Sequence, residues 1–253
     1  MVKIADRVEA APSKDCPLCK TALSSLDSYP TNLLDLLIFH RIHFHMMPDL
    51  AVKSYRQLGS EFVDWNEVRI SPIREIQEQV SKGHDSLQLS VFIKDLLEFV
   101  HHDKHTVGLE SLAEENLTDI RRYLKQVRNM ELASIDLALM LRKDHPVLPL
   151  TGPMEEMFLM MGLVREADSR DRKEKKLFEL FAPDVSAALA FHHLALNHCR
   201  GENDLKEAHF ESPKCSLRQI ADEFGKKRKR KSAASKRAVK TTKKKTTKKN
   251  ARV

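Results

Sequence analysis

The chain has 253 residues, 42% hydrophobic and 31% charged, with a formal net charge of +7. That length supports one sizeable domain or two small lobes around a buried core. Seven glycines are too few for a fold rich in tight turns or phosphate-cradling loops, and no apolar run approaches the roughly 18 residues of a membrane span, so a soluble intracellular protein is expected.

The opening "MVKIADRVEAAPSKD" has no apolar core and reads as part of an N-terminal extension, residues 1–28, rather than a secretory signal. Within it, Cys16 and Cys19 ("CPLC") have the spacing of half a zinc site. The other half would have to come from Cys199 and Cys215, sixteen residues apart, so reduced thiols without a metal are the default. Residues 29–225 then read as a helical body. In "TNLLDLLIFHRIHFHMM", Leu33, Leu36, Leu37 and Phe44 fall at helical spacing, with Thr31 or Asn32 as the cap and Pro48 as the stop. A second helix begins at Pro48 and Asp49, puts Leu50, Tyr55 and Leu58 on one side, and ends at Gly59.

"DWNEVR" reads as a short connection, and "SPIREIQEQV" as a helix start with Ser71 as cap, Pro72 at the first position and Glu75 in the first turn. Ile73, Ile76 and Val80 would face inward. The single tryptophan, Trp65, sits in the connection. It is expected to fill the seam between the helices it joins, with its N–H on a backbone carbonyl and Arg69 paired with Asp64 or Glu67. "SLQLSVFIKDLLEFVHH" carries a wide apolar stripe. "ENLTDIRRYLKQVRNMELASIDLALMLRKDHP" predicts two helices with a break near Arg128 and Asn129. "PLTGPMEEMFLMMGLV" predicts a turn at Thr151–Gly152 and a short methionine-rich helix, and a buried helix follows from Pro183. No segment alternates like a strand, so the expected fold class is all-α, about nine helices with short connections.

Twelve histidines fall mainly in three groups: His40, His43, His45; His101, His102, His105; and His192, His193, His198. Their spacing predicts helix ends and polar faces, and the His40/His43/His45 group is the first candidate should a metal bind. From Lys226 onward the chain holds 15 Lys or Arg and no acid, which leaves residues 1–225 with 28 basic against 36 acidic residues, a net of −8. Residues 226–253 are therefore expected to be disordered and to meet a polyanion, DNA or RNA. Lys226, Lys227, Arg228, Lys229, Arg230, Lys231, Lys236, Arg237, Lys243, Lys244 and Lys245 are the candidate contacts, and the run also suits a nuclear address.

"EFVDWNEVRISPIREIQEQV", residues 61–80, resembles a segment of divergent endonuclease III-like (HhH-GPD) DNA glycosylases, helix-hairpin-helix proteins of base excision repair. The likeness covers roughly residues 30–200 and rests elsewhere on the order and spacing of helices. It implies the endonuclease III-like fold. It also implies that "VRNMELASI" stands where the family's hairpin reads approximately Leu-Pro-Gly-Val-Gly-x-Lys-Thr-Ala. Asn129 and Glu131 then replace the two glycines: Asn tolerates a left-handed backbone, whereas the Glu charge would repel phosphate. Ala133 replaces the lysine nucleophile of bifunctional members, and Thr151 replaces the catalytic aspartate.

Glu155 and Glu156 are the fallback carboxylates. The family's four-cysteine iron–sulfur loop is not matched, since only Cys199 and Cys215 lie near its place. The expected function is thus a DNA-binding protein on a degenerate, non-catalytic glycosylase scaffold, contacting nucleic acid through its tail. The alternatives are an active glycosylase with a relocated carboxylate and a protein-interaction module, with an unknown partner, whose tail is a localisation signal. The expected setting is bacterial cytoplasm and nucleoid, or the nucleus of a eukaryote.

Overall fold

The computed structural model describes residues 30–80, 85–112, 114–143, 147–179 and 185–200. The N-terminal extension with Cys16 and Cys19, the basic segment 226–253 and Cys215 lie outside the described residues. Among the described residues there are ten α-helices, one 3-10 turn and no strand. In chain order they are α1 (Leu33–His45), α2 (Pro48–Glu61), α3 (Trp65–Ile70), α4 (Ile73–Gln79), α5 (Ser86–Lys104), the 3-10 turn (Glu110–Leu112), α6 (Leu117–Leu124), α7 (Leu132–Lys143), α8 (Gly152–Met160), α9 (Arg170–Glu179) and α10 (Val185–Arg200). None is long and apolar enough to cross a membrane.

Asn32 caps α1, its Oδ1 accepting the Asp35 N–H at 2.8 Å. Leu34 and the whole run from Leu36 to His43 are buried, so α1 is enclosed on nearly every side rather than amphipathic. α2 turns Ala51, Ser54 and Leu58 inward, while Leu50 is exposed, contrary to the apolar side expected. The helix also runs through Gly59, where its backbone stays helical. It closes at buried Phe62, whose N–H reaches the Leu58 carbonyl at 3.2 Å.

The segment read as a connection is helix α3. Asp64 accepts the Glu67 N–H at 2.8 Å, and the Glu67 carboxylate accepts the Val63 N–H at 2.6 Å. The pair is a variant of the Asp-x-x-Glu capping box, in which Glu67 takes the N–H one residue ahead of the cap, and it marks the start of a six-residue helix. Ser71 does not cap α4; its hydroxyl donates back to the Glu67 carbonyl at 2.8 Å and closes α3. Lys94 of α5 donates to the Arg69 and Ser71 carbonyls, both at 2.7 Å, placing a cation at the negative end of α3. Arg69 pairs with Glu98 of α5, not with Asp64 or Glu67.

Two apolar clusters share one helix. The larger gathers the inner faces of α1 to α6 with Ile135, Ala138 and Leu139 of α7. The smaller gathers Leu137 and Met140 of α7 with residues 148–164, α9 and α10. α7 is consequently buried at every residue from Ala133 to Met140. Met154 and Met157 fill the smaller cluster, as the methionine-rich pattern suggests, whereas Met160 is exposed.

Trp65 is half-buried against Tyr55, ring centroids 6.3 Å apart, and so lies in the seam as expected. Its indole N–H, however, goes to the Asp35 carboxylate of α1 and not to a carbonyl. Trp65→Phe keeps the ring packing and removes that donor to a charged acceptor. It should lower unfolding free energy by about 1–3 kcal/mol, read by circular dichroism in urea; an unchanged midpoint would mean that water replaces the bond without loss.

Candidate functional site

The hairpin is built between α6 and α7. Asn116 caps α6 through the Asp119 N–H, and Ile120 and Leu124 anchor its inner face. The turn closes through Gln126 N–H to Tyr123 O, Val127 N–H to Leu124 O and Met130 N–H to Val127 O, at 3.1–3.2 Å. Asn129 adopts φ +59°, the left-handed conformation that Gly or Asn takes most readily. Lys125, Arg128 and Asn129 are exposed at the tip. Glu131 does not project as a bare charge. Its carboxylate is paired with Arg41 of α1, whose guanidinium stands 4.9 Å over the Phe92 ring. The expected repulsion of phosphate is therefore largely neutralised from within the body.

Ala133 is buried in the first turn of α7, and Thr151 is buried as the N-cap of α8, its Oγ1 accepting the Met154 N–H at 3.4 Å. A chain of buried groups joins their immediate neighbours. Ser134 Oγ lies 2.9 Å from His40 Nδ1, His40 Nε2 lies 3.4 Å from His192 Nε2, and His192 Nδ1 lies 3.1 Å from the Pro149 carbonyl. A carbonyl only accepts, so His192 Nδ1 carries the proton. In the neutral ring its Nε2 then accepts from His40 Nε2–H, and His40 Nδ1 accepts the Ser134 hydroxyl. The bonds run in one direction, from α7 through α1 and α10 to the strip that presents Thr151. The His43 and His193 rings pack alongside, tilted by 46° with centroids 4.4 Å apart. These imidazoles are fully buried, not on the polar faces expected.

That strip is also clamped to α9. Leu148 N–H donates to the Glu174 carbonyl, Leu150 N–H donates to Glu174 Oε1 at 3.3 Å, and Arg170 bridges Glu174 and the Leu150 carbonyl. Burial, and then the nearby Asp136 charge, push the Glu174 carboxyl up to about 7 despite Arg170 and the Leu150 N–H. Asp136 is fully buried on α7, and that burial raises it too, opposed mainly by Arg121, whose Nη2 donates to Oδ2 at 3.0 Å.

Of the fallback carboxylates, Glu155 is held 2.5 Å from Nζ of nearly buried Lys173, and Glu156 is exposed. Half-buried Cys199 points its thiol at Met157 Sδ, 3.9 Å away. His45 pairs with Asp85 rather than joining His40 and His43. Among the described residues no group of three or more His, Cys, Asp or Glu could hold a metal ion. Ser134, His40 and His192 were not singled out together by the sequence reading. The available signal was polar residues embedded in otherwise apolar helical runs, "FHRIH", "LASID" and "FHHLAL".

No family model matches the chain. Over 129 residues, 51% of the chain, it is 22% identical to Protein ROS1A of Oryza sativa subsp. japonica. Over 119 residues, 47% of the chain, it is 26% identical to the Transcriptional activator DEMETER of Arabidopsis thaliana. The matched stretches are 7% and 6% of those proteins' own lengths. Among solved structures, the fold is similar to that of a trapped endonuclease III–DNA covalent intermediate, with TM-score 0.50 and 13% identity over 85% of this chain and 98% of that one. A Helicobacter pylori 3-methyladenine DNA glycosylase, MagIII, bound to 1,N6-ethenoadenine gives TM-score 0.48 and 14% identity, over 77% of this chain and 95% of that one.

Two measurements check the polar framework. Ser134→Ala leaves the His40 end of the relay without its hydroxyl and should cost about 1–2 kcal/mol of stability, whereas Ser134→Thr, which keeps the hydroxyl, should cost less if its methyl is accommodated. Glu174 is an acid raised above its unfolded value, so the folded chain binds an extra proton between roughly pH 4.5 and 7. Stability from this group is therefore greatest below that window and falls by on the order of 2–3 kcal/mol as pH rises through it. Glu174→Gln should remove that slope, and the difference between the two urea-denaturation profiles across pH 5–8 isolates it; parallel profiles would contradict the assignment.

Proposed function

Because the chain has the endonuclease III-like helix-hairpin-helix fold, we propose that it is a DNA-binding protein built on a glycosylase scaffold without the family's chemistry. The observation that carries this reading is the contrast between hairpin and chemistry. The left-handed turn is kept at Asn129, while the positions matched to the lysine and aspartate hold a buried methyl group and a hydroxyl engaged in capping α8. Neither Ala133 nor Thr151 supplies a nucleophile to a sugar carbon or a negative charge to stabilise a cationic one.

DNA contact has two sources on this reading. The fifteen cations of residues 226–253 supply most of the affinity by counterion release, without sequence preference. Exposed Lys125 and Arg128 at the hairpin tip supply a smaller, oriented contact from a body whose sequence carries a net −8.

One observation supports keeping the enzyme reading as a rival. A carboxylate and an amine, Glu155 and Lys173, converge one helical turn after Thr151. Their mutual pairing and the near burial of Lys173 weigh against their reaching a sugar.

Deleting residues after Gly225 should remove most duplex affinity and flatten its dependence on salt by several units of slope. Lys125→Ala with Arg128→Ala should lower the slope by roughly two more. Fluorescence anisotropy of a labelled duplex across a salt series measures both; truncated chain binding as tightly at the same salt would refute the tail's role. Duplexes with oxidised, deaminated or mismatched bases should release no base. Release that disappears with Glu155→Gln or Glu156→Gln would establish the enzyme instead.

A further inference from the structure

The end of α2 and the start of α3 enclose an open groove of about 480 Å3 that the hairpin does not line. Half-buried Tyr55 and Trp65 supply aromatic surface over buried Phe62, and Val63, 91% exposed, supplies an apolar lip. Asp35 and Asp64 line it, and Glu61 and Glu67 neighbour it in the chain. Among the described residues, Asp35, Asp64 and Glu67 are held by hydrogen bonds. Asp35 accepts from the Trp65 indole and Asn32, and Asp64 and Glu67 are used by the capping box. Among the described residues no Lys or Arg forms an ion pair with Asp35, Glu61, Asp64 or Glu67. Among the described residues Arg56 is the one cation lining the groove. Burial, and next the Asp35 charge, push the Tyr55 phenol well above its ordinary value.

Aromatic faces beside fixed carboxylates, with an apolar lip, suit a long aliphatic stem ending in a cation. We propose that this groove docks the chain's own lysine- and arginine-rich segment, residues 226–253, so that the acidic body and DNA compete for the same cations. The chain supplies the occupant: fifteen basic residues and no acid, against a net −8 in the rest of the sequence. The stretch from residue 200 to 226 could span up to roughly 85 Å when extended, several times the radius of gyration of a body this size, so chain length does not bar any face. Tethering raises the local concentration of the segment to about the millimolar range, enough to populate a contact too weak to persist between separate molecules. A contact made by exposed charges is screened by salt and yields to the denser charge of a duplex. The inference rests on the reading of residues 226–253 as the DNA-binding segment only for its competitive consequence; the docking itself does not require DNA.

Trp65 is the only tryptophan in the chain and lines the groove, so its emission reports occupancy without a label. Acrylamide quenching is compared between the full-length wild type and a full-length variant with all fifteen Lys and Arg of 226–253 changed to Gln. At about 20 mM salt the wild-type quenching constant should be roughly half that of the variant, and the two should converge near 0.5 M, where screening shortens to about 4 Å. Adding a saturating short duplex should raise the wild-type constant to the variant's value. Glu61→Gln with Asp64→Asn, in a chain with its basic segment intact, should release Trp65 at low salt as the segment variant does. Asp64→Asn retains a capping acceptor. The control pair Glu114→Gln with Glu156→Gln, also exposed acids, should not.

Equal quenching of wild type and segment variant at low salt overturns the proposal. So does a difference that persists at 0.5 M, or one that grows with protein concentration, which would assign the occupant to a second copy. The low-salt comparison contains no nucleic acid. A chain that protects Trp65 but fails to bind duplex would sink the proposed function and leave the docking standing, and the converse result separates them the other way.

Discussion

Helix α7 has no solvent-facing side from Ala133 to Met140, and that burial constrains the rest of the structure. A helix enclosed by two apolar clusters cannot leave Ser134 or Asp136 without partners, because an unsatisfied buried polar group costs more than most single contacts contribute. Each is satisfied by a different neighbour. Ser134 meets His40 of α1, and Asp136 meets Arg121 of α6. The two bonds fix α7 in rotation and in height, since sliding it by one residue would bury both groups against apolar side chains.

The same bonds set where the candidate site lies. Through His40 and His192 the start of α7 is tied to Pro149, and through Glu174 and Arg170 the strip from Leu148 to Leu150 is tied to α9. Ala133 and Thr151 sit immediately beside these anchors. A framework that holds two positions so firmly, with an alanine and a capping threonine in them, suits the proposed role as a binding scaffold. The precision of the framework comes from packing and hydrogen bonds that do not depend on what the two residues could do chemically.

Charge is distributed to a different logic. Acids inside the body are matched one by one: half-buried Glu131 by Arg41, and buried Asp136 and Glu174 by Arg121 and Arg170. Acids at the surface around α3 are used for capping and for the Trp65 indole, and among the described residues none of them pairs with a Lys or Arg. A polycationic segment in the same chain then has an internal partner as well as an external one, and the proposed competition follows from that partition rather than from any recognition of sequence.

Much of the helical order was legible in one dimension, since apolar spacing, Asn32, Asn116 and the break before Asn129 are local signals. The same local chemistry marks residues 64–67, where Asp64 and Glu67 start a short helix in a stretch whose length suggests only a connection. Resemblance along 61–80 also anticipated the endonuclease III-like fold. The partners of long-range polar groups could not be read that way. His40 and His192 are 152 residues apart, Arg41 and Glu131 ninety, and Trp65 and Asp35 thirty. Periodicity says which side of a helix is apolar, but α1 and α7 are covered on nearly all sides, so the histidines of α1 read as polar-face residues, and nothing local marks Ser134 or Asp136 as buried. Amino-acid order thus specified the helices and their sequence along the chain, whereas burial from every direction, a property of how the helices pack, settled which polar groups must find each other and therefore how the site is held.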